Sequence, residues 1–195
     1  NDFKNVIINV YVPNSGTNYD NRLIFQEAIF KFLDKQKQLD RNVIYCGDFN
    51  VAYRCEDIHF NYKTSSTYKK NTDNIVGYLP DERQFIYKLI NDLDFKDSFI
   101  GHNTQSTKGT KYIETKKPSE FNGFTWWDTR SKKILNPETN IPIGTFRYSN
   151  TGWRIDYIFV TETINVIYSS VLKHIGEEYS PQGSDHAPIM TEIEI

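Results

Sequence analysis

The alternation of apolar and polar positions divides the first fifty residues into a strand, a helix and a second strand. Residues 4–12 are mostly apolar and β-branched and end at a Pro-Asn-Ser-Gly turn, which predicts a buried strand. Residues 19–39 carry apolar side chains at helical spacing, with charges opposite, and predict an amphipathic helix. Residues 42–46 predict a short buried strand. This order indicates a layered α/β domain.

The predicted first helix should bury one continuous apolar face. The side chains that form this face at the required spacing are Leu23, Phe25, Ala28, Ile29, Phe32 and Leu33.

The rest of the chain predicts one further helix, several strands and two long loops. Pro80, followed by Asp81 and Glu82, predicts a helix N-terminus, because proline suits the first helical position and acidic side chains stabilise that end. Further strands are predicted at residues 124–127, 154–160, 169–174 and 188–195. Residues 55–74 and 128–151 are polar or lack periodicity, and predict extended loops.

Composition limits the classes of protein that remain. The 195 residues, 38% of them hydrophobic, suffice for the core of one domain. Lys and Arg total 23 against 25 Asp and Glu, which excludes a globally basic nucleic-acid-binding protein. No apolar run approaches the roughly 18 residues that a membrane span needs. We therefore expect no membrane partner. Two cysteines are too few for a disulfide scaffold, so we expect an intracellular protein with reduced thiols.

Four segments place polar side chains at the ends of predicted strands or within them. They are YVPN at 11–14, GDFN at 47–50, GWRIDY at 152–157 and SDHAP at 184–188. Asp156 lies in an otherwise aromatic and aliphatic strand, where a carboxylate is costly to bury without a partner. His186, in another segment, can supply that partner.

In this order, and with GYLPDER at 77–83 and FTWW at 124–127, these segments resemble the endonuclease/exonuclease/phosphatase superfamily. The closest likeness is to its exonuclease III type apurinic/apyrimidinic (AP) endonucleases, and it spans essentially the whole chain. GDFN or SDHAP alone is shared with sphingomyelinases, inositol phosphatases and deadenylases, whereas GYLPDER with GWRIDY is typical of abasic-site nucleases. The resemblance implies an α/β (α+β) fold, a four-layer, DNase I-like sandwich of two mixed β-sheets flanked by helices.

The resemblance also implies an enzyme of base excision repair. Such an enzyme hydrolyses the DNA phosphodiester on the 5′ side of an abasic site with Mg²⁺, or Mn²⁺ in its place, and can carry 3′ exonuclease or 3′ phosphodiesterase activity. The implied catalytic residues are Tyr11, Asp48, Asn50, Asp156 and His186. The implied metal ligands are Asp48, Asn50, Asp185 and His186, and the implied substrate-binding residues are Asn14, Trp126 and Trp153.

Each of these residues has an expected role. His186 contacts the scissile phosphate, and Asp156 accepts its other ring N–H, which fixes the tautomer. Asp48 is the acid/base residue, held in register by Asn50. Tyr11 donates its phenol to a phosphate oxygen.

The two tryptophans are expected to wall a pocket for the baseless sugar. A nucleotide without its base is cheap to flip out of the duplex and small enough to be admitted where an intact one is excluded. Between positions 108 and 133, seven basic residues outnumber three acidic ones, which gives a local patch suited to DNA phosphates. Duplex DNA that contains abasic sites is the expected partner.

Where the chain departs from the family, part of the site is expected to be elsewhere. The family's principal metal-binding Glu precedes the YVPN segment, and nothing before Tyr11 supplies it. We therefore expect residues 1–195 to be the C-terminal two-thirds or so of a single catalytic domain, working with the missing N-terminal segment of the same protein. We expect a monomer, in the nucleus or an organelle if eukaryotic and in the cytoplasm if bacterial.

Two alternative functions stay open at this point. One is another phosphodiesterase or phosphatase of the superfamily, acting on lipid, inositol or RNA substrates. The other is a non-catalytic nucleic-acid-binding fragment. The pattern assigns no role to the loops at 58–75 and 128–151.

Overall fold

The computed structural model describes residues 4–58, 74–103, 123–127, 133–135, 142–145, 152–172, 174–175, 178–179 and 184–195. In chain order the elements are β1 (Asn5–Tyr11), α1 (Ser15–Gln38), β2 (Asn42–Asp48), α2 (Pro80–Asn91), β3 (Phe95–Asp97), α3 (Ser98–Asn103), β4 (Trp126–Trp127), β5 (Lys133–Leu135), β6 (Pro142–Thr145), β7 (Gly152–Trp153), β8 (Asp156–Thr161), β9 (Asn165–Val171), β10 (His174–Ile175), β11 (Glu178–Tyr179) and β12 (Ile189–Glu194). Most of the predicted loop at 58–75 and most of the basic stretch at 108–133 lie outside the described residues.

The main sheet is mixed, with strand order β1-β2-β8-β3. β1 runs parallel to β2, to which α1 connects it, whereas β8 is antiparallel to both β2 and β3. On one face, Tyr45, Phe159 and their apolar neighbours pack beneath α1 and α2. The predicted strand, helix and strand are confirmed, and so is the second helix, which begins at Pro80 and buries Phe85 and Leu89.

The buried face of α1 differs from the predicted one. Of the predicted residues, Leu33 is buried and Phe25 and Ile29 pack against the core, but Leu23, Ala28 and Phe32 are exposed. The face turned to the sheet is formed by Arg22, Phe25, Gln26, Ile29, Leu33 and Gln36. Polar residues occupy buried positions because some of their partners are backbone groups in the loops beneath the helix, which periodicity does not reveal.

A second β layer covers part of the other face of the main sheet. β9 and β12 pair antiparallel, and a small cavity between the layers is lined by Ile158, Ser169, Val171 and Ile189 among others. The strands predicted near residues 169–174 and 188–195 are therefore present, although β9 begins earlier and ends earlier than predicted. The α/β class is confirmed.

The prediction of an extended loop at 128–151 is wrong in part. The backbones of β5 and β6 pair antiparallel within it, as a short hairpin. Short strands of this kind carry too few residues for a period of two to be recognised. Within the described part of the chain, no helix is both long and apolar enough to cross a bilayer.

Candidate active site

Strand register brings three of the predicted residues into one row across the main sheet. Tyr11 at the end of β1 is the partner of Asp48 at the end of β2, and Asp48 is the partner of Asp156 at the start of β8. Residues in one cross-strand row project from the same face of a sheet. The three side chains therefore share the face opposite α1 and α2, and Tyr11, 69% exposed, stands at its open edge.

Gly47 makes this row possible at the centre of the sheet. Its backbone has φ +131°, and a Cβ built on it would lie 1.9 Å from the carbonyl oxygen of Val10. Only glycine tolerates that φ and that approach. The glycine before Asp48 thus lets β1 and β2 stay paired up to the row of Tyr11, Asp48 and Asp156.

His186 completes a three-residue cluster with Asp48 and Asp156. Ligand atoms of the three side chains all lie within 4.8 Å of one another, and each side chain is partly buried. His186 lies in the loop before β12, which forms a bridge with Trp126 of β4. Its Nδ1 is 2.9 Å from Asp156 Oδ2. With Asp156 ionised, Nδ1–H donates to the carboxylate, and Nε2 is the ring nitrogen that remains for a substrate or metal.

The electrostatics of the cluster favour proton transfer near neutral pH. Burial, and next the negative charge of Asp156, raise the pKa of Asp48 to about 6, against the opposing effects of the Asn50 N–H, His186 and Arg22. The hydrogen bond to Asp156 raises the pKa of His186, with burial opposing it. A carboxyl group with a pKa near the working pH can act as a general base or acid.

Asn50 and Asn14 connect the loops that follow β1 and β2. The Asn50 backbone adopts a left-handed conformation, with φ 49°, and its N–H donates to Asp48 Oδ1 at 2.8 Å. Its Nδ2 donates to the Val12 carbonyl at 2.8 Å, and its Oδ1 accepts from Asn14 Nδ2 at 3.3 Å. Asn14 also caps α1, because its Oδ1 accepts from the Gly16 N–H. The two asparagines thus join the loop after β1 to the loop after β2 by side-chain hydrogen bonds.

The N-cap at Asn14 also explains why α1 begins earlier than the predicted start at residue 19. Residues from Ser15 onward form a capped first turn, and non-helical dihedral angles at Asn18 separate this turn from the regular helix.

Asp185 and the tryptophans occupy different environments. Trp126 is partly exposed, and its indole N–H donates to Asp185 Oδ2 at 2.9 Å. Asp185 is adjacent to His186 in sequence but is not part of the three-residue cluster found among the described residues. Trp153, the cross-strand partner of Trp126, is only 5% exposed and packs with Ile58, Ile155 and other apolar residues in a small core against which Trp126 also packs. Of the two tryptophans, Trp126 is the one placed to meet a ligand.

Several residues that hold the site were not predicted from the sequence. Thr125 is buried, and its Oγ1 accepts from the N–H groups of both Ile155 and Asp156 at 3.1 Å. Arg154, also buried, pairs with Asp57 at 2.9 Å and with Asp97 at 2.7 Å. These contacts anchor the backbone immediately before Asp156. The available signal was an arginine inside an apolar strand pattern, which needs acidic partners.

The cluster has the chemistry of a metal site. Carboxylate oxygens are the ligands that Mg²⁺ and Mn²⁺ prefer, and a cation would relieve the repulsion between Asp48 and Asp156 that contributes to the raised pKa of Asp48. The residues present therefore fit a divalent cation held chiefly by carboxylates.

Known proteins are similar to this chain in sequence and in fold. It is 27% identical to an exodeoxyribonuclease of Bacillus subtilis, over 100% of this chain and 62% of that protein. It is 25% identical to a DNA-(apurinic or apyrimidinic site) endonuclease of Dictyostelium discoideum, over 97% of this chain and 43% of the relative. The crystal structure of an AP endonuclease from Leishmania major matches with a TM-score of 0.67 and 21% identity, over 95% of this chain and 49% of that one. This similarity confirms the predicted DNase I-like α/β fold.

The chain spans less than two-thirds of the length of these relatives. The model of the endonuclease/exonuclease/phosphatase family matches residues 2–186, which include every residue of the three-residue cluster. The chain belongs to the endonuclease/exonuclease/phosphatase family.

Proposed function

We propose that this chain carries most of the catalytic residues of a DNA-repair AP endonuclease. The reaction is hydrolysis of the phosphodiester on the 5′ side of an abasic site, which leaves a 3′-hydroxyl and a 5′ deoxyribose phosphate, a step of base excision repair. The observation that carries the proposal is the cluster of Asp48, Asp156 and His186, with an oriented imidazole and a carboxyl group of raised pKa. The similarity to an exodeoxyribonuclease and an AP endonuclease supports it.

In this reaction a water oxygen attacks phosphorus and the bond from phosphorus to the 3′-oxygen breaks. Asp48 takes a proton from the attacking water, and a proton must reach the departing 3′-oxygen. His186, with Nδ1 held by Asp156, points Nε2–H at a non-bridging phosphate oxygen. Tyr11 donates its phenol to the same phosphate from the edge of β1. These donors stabilise the charge that develops on the phosphate.

Mg²⁺ is the proposed cofactor, with Mn²⁺ as a substitute. Asp48 and Asp156 would hold it, with Asn50 or Asp185 as a further ligand, and His186 would join them only in a state in which Nε2 carries no proton. When bound, the cation neutralises phosphate charge in the transition state. Titration with Mn²⁺, followed by broadening of the His186 ring proton signals, tests the site without any cleavage assay. The broadening should require clearly more Mn²⁺ in Asp48→Asn than in the unmodified protein.

The open face beside the cluster supports a further part of the proposal. Ile7 is 72% exposed on the same sheet face as Tyr11, and Ile44, Cys46 and Ile158 of that face are only partly buried. We propose that additional polypeptide of the same protein covers this face and brings the family's metal-binding Glu to the cluster. Protection of the Cys46 thiol from alkylation in a longer form of the protein, but not in residues 1–195, is the expected result.

A cleavage assay tests the function directly. The full-length protein, supplied with Mg²⁺, should cut a duplex that contains a tetrahydrofuran abasic analogue and leave the matched intact duplex uncut. The product should carry a 3′-hydroxyl that a polymerase extends. Inositol phosphates, lipid phosphodiesters and RNA serve as comparison substrates. Preference for any of them would overturn the abasic-site proposal, and DNA binding without cleavage of any substrate would indicate a non-catalytic module.

The proposed function also sets the surroundings in which the protein would act. Repair of DNA would place it in the nucleus or an organelle of a eukaryote, or in the cytoplasm of a bacterium. Duplex DNA with an abasic site is the proposed partner, and the protein is proposed to act as a monomer.

A further inference from the structure

Arg22 is a buried cation that lies outside the proposed catalytic cluster. It belongs to α1, yet none of its surface is exposed. A guanidinium carries five N–H donors in a rigid fork and stays protonated in proteins, so burying one requires a fixed set of acceptors. The positions of those acceptors therefore show which parts of the fold Arg22 holds together.

The acceptors of Arg22 are backbone carbonyls of two loops. Nη1 donates to the Pro13 carbonyl at 2.9 Å and lies 3.4 Å from the Asn50 carbonyl, while Nη2 donates to the Phe49 carbonyl at 2.9 Å. Pro13 follows β1, and Phe49 and Asn50 follow β2. One guanidinium thus bridges the loop that carries Asn14 and the loop that follows Asp48.

Glu82 supplies the opposite charge from a third element. Its Oε1 lies 3.7 Å from Arg22 Nε, and its side chain is fully buried. It also accepts from the Leu79 N–H at 2.8 Å and from Ser15 Oγ at 2.5 Å. Glu82 is thereby fixed at the start of α2, where its carboxylate faces Arg22 Nε at ion-pair distance without a hydrogen bond.

A contribution to folding stability does not by itself explain why Arg22 and Glu82 are buried together. Replacing a buried ion pair with apolar residues of similar volume is often neutral or stabilising, because the desolvation of both charges offsets their attraction. What an apolar pair cannot do is hydrogen-bond to carbonyls on two separate loops at once.

We infer that Arg22, held by Glu82, is a positioning residue that sets the spacing between the Asn14 loop and the loop of Asp48 and Asn50. This inference rests on the proposed function of the site. The side-chain contacts that depend on the spacing are the hydrogen bonds from Asn14 Nδ2 to Asn50 Oδ1, at 3.3 Å, and from Asn50 Nδ2 to the Val12 carbonyl, at 2.8 Å. Because Asn50 in turn donates to Asp48, a shift between the loops displaces the proposed acid/base residue.

Kinetics of Arg22→Lys and Arg22→Met in the full-length protein test the inference. A lysine keeps the charge but cannot span both loops, so both variants should lower kcat roughly 10- to 100-fold, the effect of misplacing reacting groups by about 1 Å. KM should change little, because Arg22 is fully buried and has no surface to offer to DNA. Leu33→Ala is the matched control: it removes a fully buried side chain from the same face of α1 and should lower the urea midpoint without changing kcat.

Hydrogen exchange provides a readout that does not depend on activity. The N–H groups of Val12 and Asn50 donate to the backbone and side chain of Asp48, and both should exchange faster in Arg22→Lys but not in Leu33→Ala. If Arg22→Met does not fold, Arg22→Lys and Glu82→Gln carry the test. Unchanged exchange in Arg22→Lys, or a loss of kcat no larger than in the control, would overturn the inference. If the unmodified protein cuts no DNA, the proposed function fails and exchange alone decides the role of Arg22.

Discussion

His186 Nδ1 lies 2.9 Å from Asp156 Oδ2, so a carboxylate at the start of β8 orients an imidazole that comes from the loop before β12. The hydrogen bond links two parts of the chain thirty residues apart and leaves Nε2 directed away from the carboxylate. It is the contact on which the proposed phosphate recognition depends most directly.

We expect Asp156→Asn to lower kcat by roughly 10²- to 10⁴-fold, because an amide no longer fixes the tautomer and orientation of His186 as the carboxylate does. The same change should lower the pKa of His186, because the hydrogen bond to Asp156 is the main cause of its elevation. NMR titration of the His186 ring protons measures this directly. A titration curve for His186 that stays unchanged in the variant would contradict the pairing.

The protonated His186 should stabilise the fold at low pH. A histidine with a raised pKa in the folded state contributes stability that is present below its unfolded pKa and is lost as the pH rises through the folded value. Urea midpoints of the unmodified protein and of His186→Gln, measured from pH 5 to pH 8, should therefore converge as the pH rises. If the two urea midpoints instead changed in parallel with pH, the ion pair between His186 and Asp156 would make no contribution to stability.

Asp48→Asn should separate stability from activity. The pKa of Asp48 is raised to about 6, so the ionised carboxylate destabilises the folded state, and the stability of the unmodified protein falls as the pH rises through that value. The amide can still accept from the Asn50 N–H but cannot take a proton. Without metal, the variant should be more resistant to urea than the unmodified protein at pH 8, and the difference should shrink toward pH 4. In the cleavage assay with Mg²⁺, the variant should cleave no DNA. If the variant were instead less resistant to urea than the unmodified protein at pH 8, the ionised Asp48 carboxylate would not destabilise the folded state.

Arg154→Met should destabilise the protein by about 3–5 kcal/mol, because it leaves the buried carboxylates of Asp57 and Asp97 without their shared counter-ion. Urea unfolding measures the loss. Lys31→Met is the control, since it breaks an exposed ion pair with Glu27 and should leave the midpoint within error. If Arg154→Met and Lys31→Met lowered the free energy of unfolding equally, the buried ion pairs of Arg154 would contribute no more to stability than an exposed one.

Gly47→Ala should prevent β1 and β2 from pairing to their ends. The added Cβ meets the Val10 carbonyl oxygen at 1.9 Å, and the φ of +131° is strained for any side chain. We expect a large fall in thermal midpoint together with loss of cleavage. Gly101→Ala adds the same methyl group where nothing lies within 4 Å, in α3, and should be neutral or slightly stabilising.

The sequence was informative where chemistry coincides with the end of a strand. Asp48 and Asp156 stood out because each is an acidic residue beside an apolar run, and the register then placed them opposite each other. Arg22 was not recognised, because helical periodicity assigns charged residues to solvent and the carbonyls that draw this side chain inward belong to distant loops. The hydrogen bond from Trp126 to Asp185 joins residues 59 positions apart, which no local pattern encodes.

Tyr11, Asp48 and Asp156 meet only because β1, β2 and β8 are aligned residue by residue, from Asn5 opposite Asn42 at one end of the parallel pair to Tyr11 opposite Asp48 at the other. A strand can slip only by whole residues, and a slip of one would turn Tyr11 toward the helices. Deleting a single residue from the middle of β1 would therefore not weaken the site by degrees. The deletion would remove Tyr11 from the site, although Asp48, Asp156 and His186 had not been changed.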